Sequence, residues 1–222
     1  MTQAVNVNVL RPRQRLGKYR IDGRLAESGY AHVYRAYDTV EGVPVALKIP
    51  TVSADGLSTD ELCKEVRITA RLVHEHILPI KNAEFVEGRL LVAYALGEQS
   101  LADRLRSRLA IRTALAYADQ MLAALAYAHR RRVIHCDVKP ENFILFENDV
   151  LKLSDFGIAR LARGTLPVSG SGTVGYVAPE QALGRTSFRS DVFSMGLVLY
   201  KMFAGRLPEW PYEWPLTGFD RL

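Results

Sequence analysis

The sequence predicts an α+β fold in two lobes, and three observations point there. Short strand-like runs fill residues 19–49 and return at Leu90-Leu91-Val92-Ala93-Tyr94. A single helix, announced by Ser58 and Glu61 in capping-box spacing, interrupts them. Beyond Ser100, two long apolar helical stretches take over, at 111–131 and 191–204. Strands gathered first and helices second belong to an α+β arrangement. A chain of 222 residues holds one large domain or two small lobes sharing a cleft. Its apolar share of 48% is enough for a packed core and argues against disorder.

Taken in order, residues 1–18 are polar, basic and irregular, which reads as a loose extension. Residues 19–95 form the first lobe and residues 96–222 the second. From Tyr19 to about Ile49 the pattern is strand, turn, strand, strand, with Val33 and Tyr34 in the second strand and Pro44 opening the third. Alternation puts Val45, Leu47 and Ile49 on one face and Ala46 with Lys48 on the other. After the cap at Ser58, Leu62, Val66, Ala70 and Val73 recur at helical spacing, with Glu65 at the edge of that stripe. The helix is expected to end near His74, before Pro79. Gly97 and Ser100 mark a connector between the lobes. In 111–131 the apolar stripe is Leu115, Ala118, Leu122, Leu125 and Ala126. Residues 143–146 and 150–153 read as two short strands around a tight turn. Gly205 stops the helix that begins at Asp191.

Bulk chemistry narrows the function classes. The net charge of +5 comes partly from arginines at 11, 13 and 15 and at 130, 131 and 132. A solvated tail and a positively charged helix end explain these, and no nucleic-acid module or zinc spacing accompanies them. Two cysteines, Cys63 and Cys136, build no disulfide framework and suggest a reducing, cytoplasmic setting. The N-terminus lacks the apolar core of a secretory signal, and Val192–Ala204 is short and carries Lys201, so no membrane span is expected.

The chemistry concentrates in His135-Cys136-Asp137-Val138-Lys139-Pro140-Glu141-Asn142 and in Asp155-Phe156-Gly157. Two carboxylates, a lysine and an amide in so short a window are what Mg²⁺-bound ATP and an attacking hydroxyl require. Each taken singly could be a surface loop residue. As a set between apolar strands and a buried helix, unpaired charges would be costly there. Lys48, in an otherwise apolar strand, needs a partner, and Glu65 on the following helix supplies one.

These motifs, with Val45-Ala46-Leu47-Lys48, the segment Gly172 to Glu180, and Asp191 with Gly196, resemble those of eukaryotic-type Ser/Thr protein kinases, particularly bacterial members. The similarity runs from about Tyr19 to about Pro208. The resemblance implies a two-lobed kinase fold with ATP in the cleft. It makes Asp137 the proton acceptor and Asn142 and Asp155 the Mg²⁺ ligands, with Lys48, Glu65 and Lys139 completing the catalytic set. It also places Leu25, Val33, Ala46 and Ile144 around the adenine, Ala26, Ser28 and Gly29 over the phosphates, and Val92 as gatekeeper. His135 and Phe156 become packing residues. Lys139 and Thr173 look like Ser/Thr rather than Tyr specificity, and the expected partner is a protein substrate.

Three departures modify that expectation. Ala26, Ser28 and Ala31 occupy the three glycine positions of the phosphate-covering loop, and Gly29 falls one place late, so weaker nucleotide binding is expected. Cys136 stands where many kinases have an arginine that grips an activation-loop phosphate. Activity is therefore expected to depend little on phosphorylation of Thr165, Ser169, Ser171 or Thr173, with Arg160 or Arg163 as the possible substitutes. The C-terminal helices of the family are not represented, so Glu180 lacks its usual arginine partner. Trp210, Tyr212 and Trp214 would need a partner or a further segment to cover them. These departures favour a second reading, a pseudokinase or nucleotide-binding scaffold with weak turnover. A small-molecule kinase is disfavoured by Lys139 and the 172–180 segment.

Overall fold

The computed structural model describes residues 9–28, 31–51, 58–156 and 174–209. They fall into two compact units. The first runs to Val73 and adds Leu78–Leu96; the second joins His74–Ile77 to the chain from Gly97 onward.

The first unit is a six-stranded antiparallel sheet with one helix. Its strands are β1 (Arg15–Leu16), β2 (Tyr19–Ser28), β3 (Ala31–Asp38), β4 (Val43–Pro50), β5 (Ile80–Val86) and β6 (Arg89–Ala95), in the order β1-β2-β3-β4-β6-β5. The alternation read in β4 holds: Val45, Leu47 and Ile49 are buried, while Ala46 and Lys48 are half-buried on the opposite face. Tyr34, Ala36, Leu91 and Ala93 from the neighbouring strands complete the core on the Leu47 side.

Residues ahead of Tyr19 are not a loose extension throughout. Arg15–Leu16 pairs with Arg20 and Tyr19, and Leu10 and Leu16 are core residues at 5% and 1% exposure. The basic composition hid two leucines whose burial is each worth ~1.5–3 kcal/mol. Strand β5 was also not anticipated, because its inward and outward positions, half-buried and exposed, carry no continuous apolar signal.

Helix α1 (Thr59–Thr69) starts as expected. Ser58 Oγ accepts from the Glu61 N–H, and Glu61 reaches back to the Ser58 N–H at 2.7 Å. It stops earlier than expected, with Ala70 as C-cap. Ala70 and Val73 are exposed, Val73 at 78%, and Leu72 at 3% takes the inward position instead. Leaving the helix at residue 70 turns Leu72 inward, where continued winding would have favoured Val73.

The second unit contains β7 (Gln99–Ser100), β8 (Phe143–Phe146) and β9 (Val150–Leu153) as a small antiparallel sheet. Its helices are α2 (Leu101–Arg104), α3 (Ile111–Arg130), α4 (Pro179–Ala182) and α5 (Phe188–Ala204). Ser187 caps α5, so that helix begins three residues before Asp191, and Gly205 ends it at φ +79°. In α3 the buried face is Ala114, Tyr117, Ala118, Met121, Ala124, Leu125 and Ala128, while Leu115 and Leu122 are exposed at 54% and 45%. Of the expected stripe, Ala118 and Leu125 are buried, whereas Leu115, Leu122 and Ala126 face outward. No helix among the described residues is long and apolar enough to cross a membrane.

Candidate active site

In the first unit Ala26, Val33, Ala46, Lys48 and Val92, among the predicted nucleotide residues, lie on one sheet face. Directly paired residues of antiparallel strands share a face. The pairs Ala26↔Val33, Val33↔Lys48 and Lys48↔Val92 therefore form one row across four strands, with Ala46 two residues along β4 on the same face. Leu25 is the extra residue of a bulge between Arg24 and Ala26 and is 51% exposed. Ser28 hydrogen-bonds across the hairpin: its hydroxyl accepts from the Ala31 N–H at 3.1 Å and donates to the Ala31 carbonyl at 3.3 Å. A glycine there would provide neither bond. Gly29 lies outside the described residues, as do Gly157, Thr165, Ser169, Ser171–Thr173, Arg160, Arg163 and the tryptophans of the C-terminal segment.

Helix α1 covers part of this face. Leu62 and Val66 pack with Leu90, Val92, Ile80 and Tyr94. The packing sets Glu65 3.5 Å from the Lys48 ammonium, with both side chains about four-fifths buried at 17% and 20% exposure. A small recess lies beside this pair, lined by Leu62, Val66, Thr69 and Val92 among others.

In the second unit the 135–142 loop is organised by a buried carboxylate. Asp191, at 1% exposure, accepts from the His135 N–H at 2.7 Å, the Cys136 N–H at 2.9 Å and His129 Nε2 at 2.8 Å. Cys136 has φ +67°, a conformation costly for a residue with a Cβ and tolerated where neighbours hold it.

His135 is fully buried, and both ring nitrogens are used. Nδ1 accepts from the Asp137 N–H at 3.2 Å, so Nε2 carries the proton and donates to the Ser154 carbonyl at 2.9 Å. Its ring packs on Phe156 with centroids 4.7 Å apart. Burial holds its pKa below the ordinary value, against the opposing pull of Asp191, Asp137 and Asp155. A neutral imidazole with both nitrogens occupied has no capacity left for proton transfer.

This burial has a pH consequence. His135 and His74 are both depressed, chiefly by burial. The unfolded chain, with histidine pKa values near ~6.5, therefore binds more protons than the folded one below that pH. Stability is fully present above about 6.5 and is lost as the pH falls towards the folded values. The melting temperature is expected to drop between pH 7.5 and 5.5, and to drop less steeply in His135→Gln. Parallel profiles for the two proteins would contradict a neutral buried His135.

Around Asp137 the side chains converge. Asn142 Nδ2 donates to the Asp137 carbonyl at 2.7 Å and to Asp137 Oδ2 at 3.0 Å, and the Lys139 ammonium sits 2.9 Å from the same Oδ2. Asn142 Oδ1 takes no hydrogen bond from the described residues. The register Phe143↔Leu153 of β8 and β9 continues into Ser154, whose N–H and hydroxyl both bond the Asn142 carbonyl, at 2.8 and 3.1 Å. Asp155 follows Ser154 directly and leaves the strand conformation at φ +58°. Ile144 is in β8, where Gly97 approaches closely: a Cβ on Gly97 would lie 2.4 Å from the Ile144 side chain and 2.6 Å from the Leu145 carbonyl oxygen. Glu180, without an arginine partner among the described residues, accepts from Ser190 Oγ at 2.7 Å, which lowers its pKa.

Residues 19–213 match the family model described as the protein kinase domain. The chain belongs to the protein kinase domain family. Relatives of the kinase domain include CBL-interacting protein kinase 16 of Oryza sativa subsp. japonica, 34% identical over 87% of this chain and 45% of the relative. CBL-interacting serine/threonine-protein kinase 20 of Arabidopsis thaliana is 33% identical over 86% of this chain and 46% of its own length. A probable serine/threonine-protein kinase of Clostridium acetobutylicum is 29% identical over 86% of this chain and 30% of its own. The kinase chain thus spans less than half the length of these curated relatives.

Two residues escaped the sequence reading. His129 carries a weak signal, a histidine in the last turn of an otherwise apolar helix. Gln181 follows the Ala178-Pro179-Glu180 motif and donates to the Cys136 carbonyl at 2.7 Å. Nothing in local composition marks it.

Proposed function

We propose that this chain is the catalytic part of an ATP- and Mg²⁺-dependent protein kinase that phosphorylates Ser/Thr hydroxyls of a protein substrate. The observation that carries the reading is the Asp137 carboxylate, oriented by Asn142 and paired with Lys139. Phosphoryl transfer asks a protein for aim and charge, with little covalent help. Asp137 orients the attacking hydroxyl and accepts its proton. Lys139, already beside Asp137, offsets charge on the transferring phosphoryl group. Lys48, held by Glu65, contacts the α- and β-phosphates. Ala26, Ser28 and Gly29 cover the phosphates, and Leu25, Val33, Ala46, Val92 and Ile144 surround the adenine.

The donor set suits Mg²⁺. Asn142 Oδ1 and the Asp155 carboxylate are hard oxygens, and the described residues contain no larger metal-ligating cluster. Mg²⁺ commonly takes one or two protein oxygens and completes its shell with phosphates and water. Bound there, it would neutralise phosphate charge. Ser/Thr specificity rests on Lys139 and Thr173 and on the relatives named serine/threonine-protein kinases. A cytoplasmic setting goes with a sequence of only two cysteines, Cys63 and Cys136.

A scaffold with weak or no turnover is the second reading, favoured by Ala26, Ser28 and Ala31 in place of glycines. Incubation with γ-labelled ATP, Mg²⁺ and a generic basic protein decides between the two. Label on the acceptor protein supports the kinase reading. Thermal stabilisation by nucleotide without label transfer supports the scaffold.

A further inference from the structure

We propose that Gln181 is a positioning residue that fixes the peptide joining Cys136 to Asp137, and with it the direction of the Asp137 carboxylate. The proposal rests on the reading of Asp137 as proton acceptor. It starts from the two ends of that one peptide group. Its carbonyl oxygen, on Cys136, accepts from Gln181 Nε2 at 2.7 Å. Its N–H, on Asp137, donates to His135 Nδ1 at 3.2 Å. The peptide plane is therefore held at both edges.

The hold matters because of the residue ahead of it. Cys136 sits at φ +67°, in the left-handed region that a Cβ disfavours. Its N–H side is secured by Asp191 at 2.9 Å. Rotation of the next peptide would relieve the strain, and would swing the Asp137 side chain with it. Gln181 opposes that rotation from the carbonyl side. Geometry in the reacting site must hold to within a fraction of an ångström, so a loosened peptide costs rate even with every catalytic group present.

Gln181 is itself anchored. It lies in α4, whose Glu180 is bound by Ser190 of α5 at 2.7 Å and whose Glu180 carbonyl accepts from the Arg185 N–H at 2.9 Å. The tie thus runs from α5 through α4 to the loop. The Cys136 thiol reaches back to the Ile134 carbonyl at 3.6 Å and does not duplicate it. Gln181 is a neutral donor, so this tie needs no phosphate, which matches a loop that has a thiol where an arginine would grip one.

The test uses Gln181→Glu, which keeps the shape but replaces the donor by a carboxylate, and Gln181→Ala, both in the intact chain. Two quantities are read. The first is phosphate transfer: kcat is expected to fall about tenfold in both variants, with the KM for ATP within about twofold, the size expected for one net hydrogen bond lost only at the reacting centre. The second needs no turnover. In a Cys63→Ser background, the labelling rate of the buried Cys136 thiol reports how often the loop opens. It is expected to rise about tenfold in both variants, with melting temperatures confirming that each is folded. An unchanged labelling rate overturns the proposal. So does a kcat loss in Gln181→Ala that Gln181→Glu does not share, since a carboxylate cannot donate. If the parent transfers no phosphate, the kinase reading fails and the labelling rate alone decides: a rise upholds the tie, constancy refutes it.

Discussion

Asp191→Ala is expected to destabilise the second unit by about 3–5 kcal/mol and to abolish any organised 135–142 loop. The carboxylate is 1% exposed and accepts two backbone N–H groups and one imidazole nitrogen. Truncation strands the N–H groups of His135 and Cys136 in a region that water does not reach, and each stranded donor costs ~1–3 kcal/mol. It also removes the group that steadies Cys136 at positive φ. A loss of this size is a large share of a domain's ~5–15 kcal/mol. Asp191→Asn keeps one acceptor oxygen and is expected to fall between the parent and the alanine variant. Denaturant unfolding measures both. A loss under ~1 kcal/mol for Asp191→Ala would mean that the loop holds itself together without Asp191.

Asp137→Asn is expected to lower phosphate transfer by ~10²–10⁴-fold while leaving nucleotide-induced stabilisation in place. The amide matches the carboxylate in size, so Asn142 can still bond the residue 137 carbonyl. What disappears is an oxygen able to take the hydroxyl proton, together with the negative charge that now pairs with Lys139 at 2.9 Å. The Lys48–Glu65 pair is untouched, so nucleotide binding through Lys48, as proposed, is expected to persist. Single-turnover transfer beside a thermal shift with ATP separates chemistry from binding. Transfer within tenfold of the parent would remove Asp137 from the proposed role.

Much of the molecule was legible because its signals are local. Ser58 and Glu61 announce α1, Gly205 ends α5, and alternation in β4 assigns faces without knowledge of any neighbour. The candidate site was legible for a related reason: Asp137, Lys139, Asn142 and Asp155 are polar residues crowded into a short stretch between apolar strands. The row Val33–Lys48–Val92, in contrast, exists only through strand register.

The errors share a cause. In α3 apolar residues surround the helix, and the three-to-four spacing was read through Leu115 and Leu122. The buried face instead takes Ala114, Ala118, Ala124 and Ala128 with Tyr117, Met121 and Leu125, because α3 lies against β9 and α5, and a close approach there favours small side chains. Leu10 and Leu16 were masked by the arginines around them, and Val73 was preferred to Leu72 because the end of α1 had no strong stop residue.

The amino-acid order by itself determined the longer helices, most of the longer strands, the family resemblance and the polar groups available for chemistry, since these depend on neighbours within a few positions. Only tertiary structure decided which helix face is inside, that Asp191 holds the 135–142 loop across 55 positions of sequence, and that Gln181 reaches Cys136 across 45. Such contacts are set by how elements stack and pair, a property that no single stretch of chain contains.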